Sequence, residues 1–154
     1  MGDGTFGWVV KAMRLKDQTY FAIKIIRSIP KYIRSAKIEA DILKDIQRAQ
    51  DLFPDRIYET VWLFETFSFK SAVKGDTKEY YCLVFEPLGK SLYQYIERNK
   101  FRGFDVLSIK HIAYQIFSAL TFLHQMNLTH TDMKPENILM YNNVVKLCDF
   151  GLAR

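Results

Sequence analysis

The chain has 154 residues, 49% of them hydrophobic and 25% charged, with a formal net charge of +5. That composition is that of a soluble globular protein with a packed interior, not a disordered chain, and the length allows one domain with a sizeable core. The charge is mild and spread along the chain; a solvated surface explains it, and it also suits partners bearing phosphates. No apolar run is expected to span a bilayer. The N-terminus lacks the basic-then-apolar layout of a signal peptide, and Phe6 stands where a myristoylation signal needs Ser or Thr. Cys82 and Cys148 sit far apart in apolar stretches and are expected to be reduced core residues of an intracellular protein, with no metal-ligand spacing.

The first third alternates like strands. "GWVVKAMRL" and "TYFAIKII", with "KDQT" between them, predict an antiparallel hairpin. "YIRSAKIEADILKDIQRAQ" follows, with Ile38, Ile42, Leu43 and Ile46 at helical spacing; Pro30 is expected to lie just upstream of that helix. "ETVWLFETFSF" and "EYYCLVFE" predict two more strands joined by the polar "KSAVKGDTK". After "FEPLGKS" the pattern turns helical. "LYQYIERNK" is short, and "LSIKHIAYQIFSALTFLHQM" is long, with an apolar stripe through Ile109, Ile112, Ala113, Ile116, Phe117, Leu120 and Leu123 that predicts a core helix. The expected division is therefore a strand-rich part at 1–86, a hinge at 87–91 and a helix-rich part at 92–154.

"GDGTFGWV" places Gly2, Gly4 and Gly7 in G-x-G-x-x-G-x-V spacing. A dinucleotide-binding fold would start a helix here, whereas the residues that follow read as strand, turn and strand. A glycine-rich hairpin over phosphates fits better, because missing side chains let backbone N–H groups approach oxygens. There is no G-x-x-x-x-G-K-[ST], so a P-loop is not supported. Lys24 lies inside an apolar strand between Ala22 and Ile26; it either faces solvent or needs an anionic partner, for which Glu39 in the next helix is the candidate.

"LTHTDMKPENILM" is more specific. Asp132 can accept a hydroxyl proton, Lys134 can neutralise a transferring phosphoryl group, and Asn137 offers an amide oxygen to a metal ion. Asp149 then ends the apolar "VVKLC", followed by Phe150 and Gly151. A carboxylate there suits Mg²⁺, a hard ion that takes oxygen ligands. Each residue alone is an ordinary loop residue; jointly, H-x-D-x-K-x-x-N followed by D-F-G defines a site.

This ordered set resembles the eukaryotic protein kinases, and the resemblance runs the length of the chain. It implies an α+β fold: a small antiparallel-sheet N-lobe with one helix, then the first part of a helical C-lobe. It implies ATP and Mg²⁺ as cofactors and protein hydroxyls as substrates, with Lys24, Glu39, Asp132 and Lys134 as catalytic residues. Asn137 and Asp149 are implied as metal ligands. Nucleotide contacts are implied for the glycine loop (Gly2, Asp3, Gly4, Thr5, Phe6, Gly7 and Val9) and for Ala22 and Lys24. Phe85 is implied as the gatekeeper and the backbones of Glu86 and Leu88 as meeting the adenine, with Ser91 near the ribose, and Leu139, Asn137 and Asp149 complete the set. Leu43, Phe64, His130 and Phe150 match a stacked hydrophobic spine.

Within the family, "LTHTDMKPENIL", "KYIRSAKIEADIL" and "VFEPLGKSLYQYI" are similar to the LAMMER-type, or cell-division-cycle-like, dual-specificity kinases. That implies serine/arginine-rich splicing factors as substrates and a nuclear location, with no direct nucleic-acid or membrane partner. Gln94, where that group has an acidic residue, and "DFGLAR" depart from its pattern. Thr131 replaces an arginine that in many kinases pairs with a phosphorylated activation loop, so no such clamp is expected here. The chain stops at Arg154, before an activation segment, so on its own it is expected to be a weak or inactive kinase with an exposed apolar patch on the long helix. The alternative is a non-catalytic, pseudokinase-like nucleotide-binding module, although Lys24, Asp132 and Asp149 are all present.

Overall fold

The computed structural model describes residues 3–4, 6–52, 59–73, 75 and 77–154, with backbone alone for Asp3 and Gly4. Gly2 and Thr5, both expected in the glycine loop, lie outside the described residues. The chain packs as two compact units: Met1–Lys44 with Trp62–Pro87, and Asp45–Val61 with Leu88–Arg154.

The first unit is a five-stranded antiparallel sheet. In chain order its strands are β1 (Asp3–Gly4), β2 (Gly7–Met13), β3 (Tyr20–Ile26), β4 (Leu63–Lys70) and β5 (Glu79–Phe85), arranged β1-β2-β3-β5-β4. The expected hairpin is β2–β3, closed where Arg14 and Thr19 pair through the backbone at 2.8 Å and Gln18 takes a left-handed φ of 58°. Asp17 grips Arg14 through two oxygens across this turn, which holds its carboxyl far below the usual carboxylate range. Gly7 is required where it stands, because a Cβ there would lie 2.0 Å from the Ile25 carbonyl oxygen.

Helix α1 (Pro30–Asp51) begins at Pro30 itself rather than downstream of it. Proline fits the first helical position, where no N–H is needed and its fixed φ is already helical. The buried stripe of α1 runs Ala36, Glu39, Ala40, Leu43, Ile46 and Gln50, with Ile38 half exposed. Two polar residues thus sit on the inward face, and each has a partner: Gln50 donates to the Thr60 hydroxyl at 2.8 Å, and Glu39 meets Lys24.

On β4 the expectation for Phe64 fails. The register breaks between Leu63 and Glu65, a β-bulge that turns Leu63 inward at 4% exposure and Phe64 outward at 53%. Leu63, not Phe64, is the buried aliphatic at this level, and the Phe64 ring packs edge-on against Phe21. Leu43, His130 and Phe150, the other residues expected in the spine, are fully buried.

In the second unit, α2 (Leu92–Arg98) and α3 (Val106–Gln125) precede a short 3-10 turn at Pro135–Asn137 and a hairpin of β6 (Ile138–Tyr141) and β7 (Val144–Leu147). The hairpin closes through Asn142 and Asn143, both at left-handed φ, as a two-residue turn of this hand requires. Helix α2 starts with a reciprocal capping box: Ser91 accepts from the Gln94 amide at 3.2 Å, and the Gln94 side chain accepts from the Ser91 amide at 3.0 Å. Glutamine at 94 thus serves the cap, a role that glutamate fills equally well.

The buried residues of α3 are Ile112, Ala119, Phe122 and Leu123. Gln115 ties the helix to the hairpin by donating to the Asn143 carbonyl at 3.1 Å and accepting from the Val145 amide at 2.8 Å. Two residues of the expected stripe, Ile109 and Phe117, are exposed, as is Tyr114. By length and composition alone α3 reaches the range of a membrane-crossing helix, which corrects the expectation that no segment does.

Candidate active site

In the first unit the strand register gathers the sequence-predicted residues onto one face. Val9 pairs with Lys24, and Ala22 pairs with Phe85; opposed residues of an antiparallel pair, and residues two apart, point the same way. Leu83, opposite Lys24 and fully buried, belongs to this face and was missed by the sequence reading. The Lys24 ammonium donates to both Glu39 oxygens, at 3.1 and 2.8 Å. Glu39 is almost fully buried and Lys24 largely so, so the solvent-facing alternative for Lys24 is excluded. Phe6 stacks edge-on with Tyr32 at 5.3 Å, and its carbonyl accepts from Arg27.

At the end of β5, Glu86 makes a two-point contact with Trp62. Its amide donates to the Trp62 carbonyl at 3.2 Å, and its carboxylate accepts from the Trp62 amide at 2.8 Å. The Glu86 amide is therefore committed inside the protein. Ser91 is buried, and its hydroxyl oxygen serves the helix cap described above.

In the second unit the loop from His130 to Asn137 is organised around two buried residues. His130, 1% exposed, accepts the Asp132 amide hydrogen at Nδ1 (3.3 Å). Its Nε2 therefore carries the proton and donates to the Cys148 carbonyl at 3.0 Å. The same ring lies 4.8 Å from that of Phe150. Asn137, 6% exposed, donates from its amide nitrogen to the Asp132 carbonyl (2.9 Å) and to Asp132 Oδ2 (3.0 Å). This fixes which way the amide faces, so its side-chain oxygen is turned from Asp132. The Asn137 backbone carbonyl accepts from the Cys148 amide at 3.0 Å. The residue before Asp149 is thus hydrogen-bonded to both ends of the loop.

Lys134 donates to Asp132 Oδ2 at 2.7 Å. Lys134, aided by Asn137, holds the Asp132 carboxyl below the usual carboxylate range, and Asp132 raises the Lys134 ammonium. Stabilisation from Asp132 is complete above the ordinary carboxylate pKa and fades as pH falls through the lowered one. That from Lys134 is complete below the ordinary lysine value and fades as pH rises through the raised one. Both side chains are partly exposed, so the pair contributes little to folding. Its effect is chemical: Asp132 stays an ionised acceptor at neutral pH. Asp149 follows β7 with a left-handed φ of 65°, and Leu139 is half-buried on β6. Both cysteines are free, and burial pushes the Cys82 thiol up to about 11.

Among the described residues no cluster of three His, Cys, Asp or Glu side chains could hold a metal ion by itself. What the second unit offers is one carboxylate, Asp149, and one oriented amide oxygen, Asn137. That donor set fits an ion which takes hard oxygen ligands and completes its shell with phosphate oxygens and water, as Mg²⁺ does.

The chain belongs to the protein kinase domain family, whose match covers residues 1–154. It is 35% identical to the serine/threonine-protein kinase AFC1 of Arabidopsis thaliana, over 97% of this chain and 30% of that protein. It is 36% identical to the dual specificity protein kinase CLK4 of Homo sapiens, over 99% of this chain and 34% of that protein. A solved kinase-domain crystal structure, 38% identical, matches all of this chain and 49% of its own with a TM-score of 0.84. The chain thus spans about a third of the length of the curated relatives it matches. The sheet-plus-helix first unit and the partly helical second one are the kinase-like α+β architecture that the motifs imply.

Proposed function

We propose that this chain carries the phosphoryl-transfer machinery of an ATP-dependent serine/threonine kinase of dual-specificity, LAMMER-type character. The observation that carries the reading is the Asp132 carboxylate, kept ionised by Lys134 and gripped by the buried Asn137. A substrate serine or threonine hydroxyl gives its proton to Asp132 as its oxygen bonds to the γ-phosphorus of ATP; the bond to the bridging oxygen breaks and ADP leaves. Lys134 neutralises charge on the transferring group, and Lys24, positioned by Glu39, takes the α- and β-phosphates. Asn137 and Asp149 would hold Mg²⁺, which supplies positive charge to the phosphate oxygens when bound. Phe85, Glu86 and Leu88 would meet the adenine, with the Glu86 carbonyl as acceptor because its amide is already used.

On the resemblance of its motifs to the LAMMER-type kinases, we propose serine/arginine-rich proteins as the substrate class and a nuclear location. Without an arginine at position 131, a phosphorylated activation loop has no cationic partner there, and we propose that activity does not depend on one. The second reading, a non-catalytic nucleotide-binding module, shares the binding residues and differs only in chemistry.

Thermal unfolding tests the nucleotide half. ATP with Mg²⁺ is expected to raise the melting midpoint of the chain by several degrees, about 2.7 kcal/mol at a hundredfold excess over Kd. Asp149→Asn is expected to leave only the metal-independent part of that shift. A wild-type chain indifferent to Mg²⁺ and ATP would refute both readings.

A further inference from the structure

We propose that Thr131 is a positioning residue for Asp149, with its hydroxyl acting as a latch on the chain that leaves the D-F-G segment; this rests on Asp149 being a metal ligand. Thr131 occupies a left-handed φ of 64°, which a β-branched residue rarely adopts. In that conformation its hydroxyl donates to the Leu152 carbonyl at 2.7 Å. Beside this bond, Thr129 and Arg154 pair through both backbone groups, at 2.7 and 3.0 Å.

The stretch Asp149–Gly151 is therefore held at both ends by one short segment. Upstream, Cys148 is fixed by His130 and Asn137; downstream, Leu152 is fixed by Thr131 and Arg154 by Thr129. Asp149 lies between these anchors and is itself left-handed, a state that a non-glycine residue keeps only when its neighbours hold it. The downstream anchor next to Asp149 is a side-chain bond, so it depends on the residue at 131. A hydroxyl is required; a methyl of the same shape cannot donate. Serine keeps the donor, and valine removes it with little change in volume.

The test compares wild type, Thr131→Val, Thr131→Ser and Asp149→Asn in the 154-residue chain by two readouts. Amide exchange at Ala153 and Arg154, which donate to Phe150 and Thr129, is expected to quicken about 2–10-fold in Thr131→Val, the loss of one exposed hydrogen bond. The Mg²⁺ concentration that half-maximally tightens ADP binding is expected to rise about 10-fold, as for other groups that orient a metal ligand. Metal-free ADP affinity stays the same, and Thr131→Ser restores both readouts. Faster exchange with an unchanged Mg²⁺ response would overturn the proposal, since the bond would then be structural only; so would a Thr131→Val chain identical to wild type. If wild type itself lacks a Mg²⁺ response, or Asp149→Asn retains it, the metal-site reading fails and takes this inference with it. That failure shows in the wild type and in Asp149→Asn, before any change at 131 is made.

Discussion

Asp132→Asn is expected to lower phosphoryl transfer by about 10²–10⁴-fold, the usual contribution of a positioned general base. The substitution keeps the side-chain shape and an oxygen that can accept from Lys134, so the loop can retain its conformation. What it removes is the negative charge and basicity that Lys134 and Asn137 are arranged to preserve. Because Lys134 holds the Asp132 carboxyl low, the wild-type rate is not expected to fall through protonation of this group between pH 6 and 8, about two units or more above the ordinary carboxylate pKa. Single-turnover transfer with the chain in excess over ATP measures the ratio, and a substituted chain within threefold of wild type, far less than a base contributes, would remove Asp132 from the mechanism.

The second large effect is on folding. Lys24→Met is expected to destabilise the first unit by about 3 kcal/mol, because it takes from the buried Glu39 carboxylate the ammonium that meets both its oxygens. Lys24→Met combined with Glu39→Leu is expected to recover most of that loss, since a well-packed apolar pair can replace a buried ion pair at little net cost. Both tryptophans, Trp8 and Trp62, lie in the first unit, so denaturant unfolding followed by tryptophan fluorescence reports on it. If the single substitution cost no more than the double, the pair would be a surface contact in energetic terms. The double variant would nevertheless lack tight ATP binding, which separates the structural role of the pair from its role toward phosphate.

Much of the fold was legible because local pattern and tertiary placement agree. The alternation in β2 and β3 survives as strand pairing, and the spacing of Leu43 and Ile46 survives as a buried helix face. The ordered motifs carried the family, since loop residues such as Asp132 and Asn137 keep their order whatever joins them. What was not legible depended on partners distant in sequence or on a single backbone irregularity. The bulge that exchanges Leu63 for Phe64 has no composition of its own. Strand β6 follows directly on the loop and is recognisable only through its pairing with β7. Pro30 is expected upstream of the helix because proline breaks helix interiors, yet the first turn has no use for its missing N–H. Thr131 stood out by residue type, but its bond to Leu152 spans the turn through Phe150 and needed coordinates to be seen.

The most direct test of the central claim is transfer of labelled γ-phosphate from ATP to a serine/arginine-repeat peptide, with the labelled residue identified by mass spectrometry. The account predicts Mg²⁺-dependent phosphoserine, slow in absolute terms and lost in Asp132→Asn. A chain that binds ATP with Mg²⁺ yet leaves the peptide unmodified at every concentration would contradict it, and would make this a nucleotide-binding module.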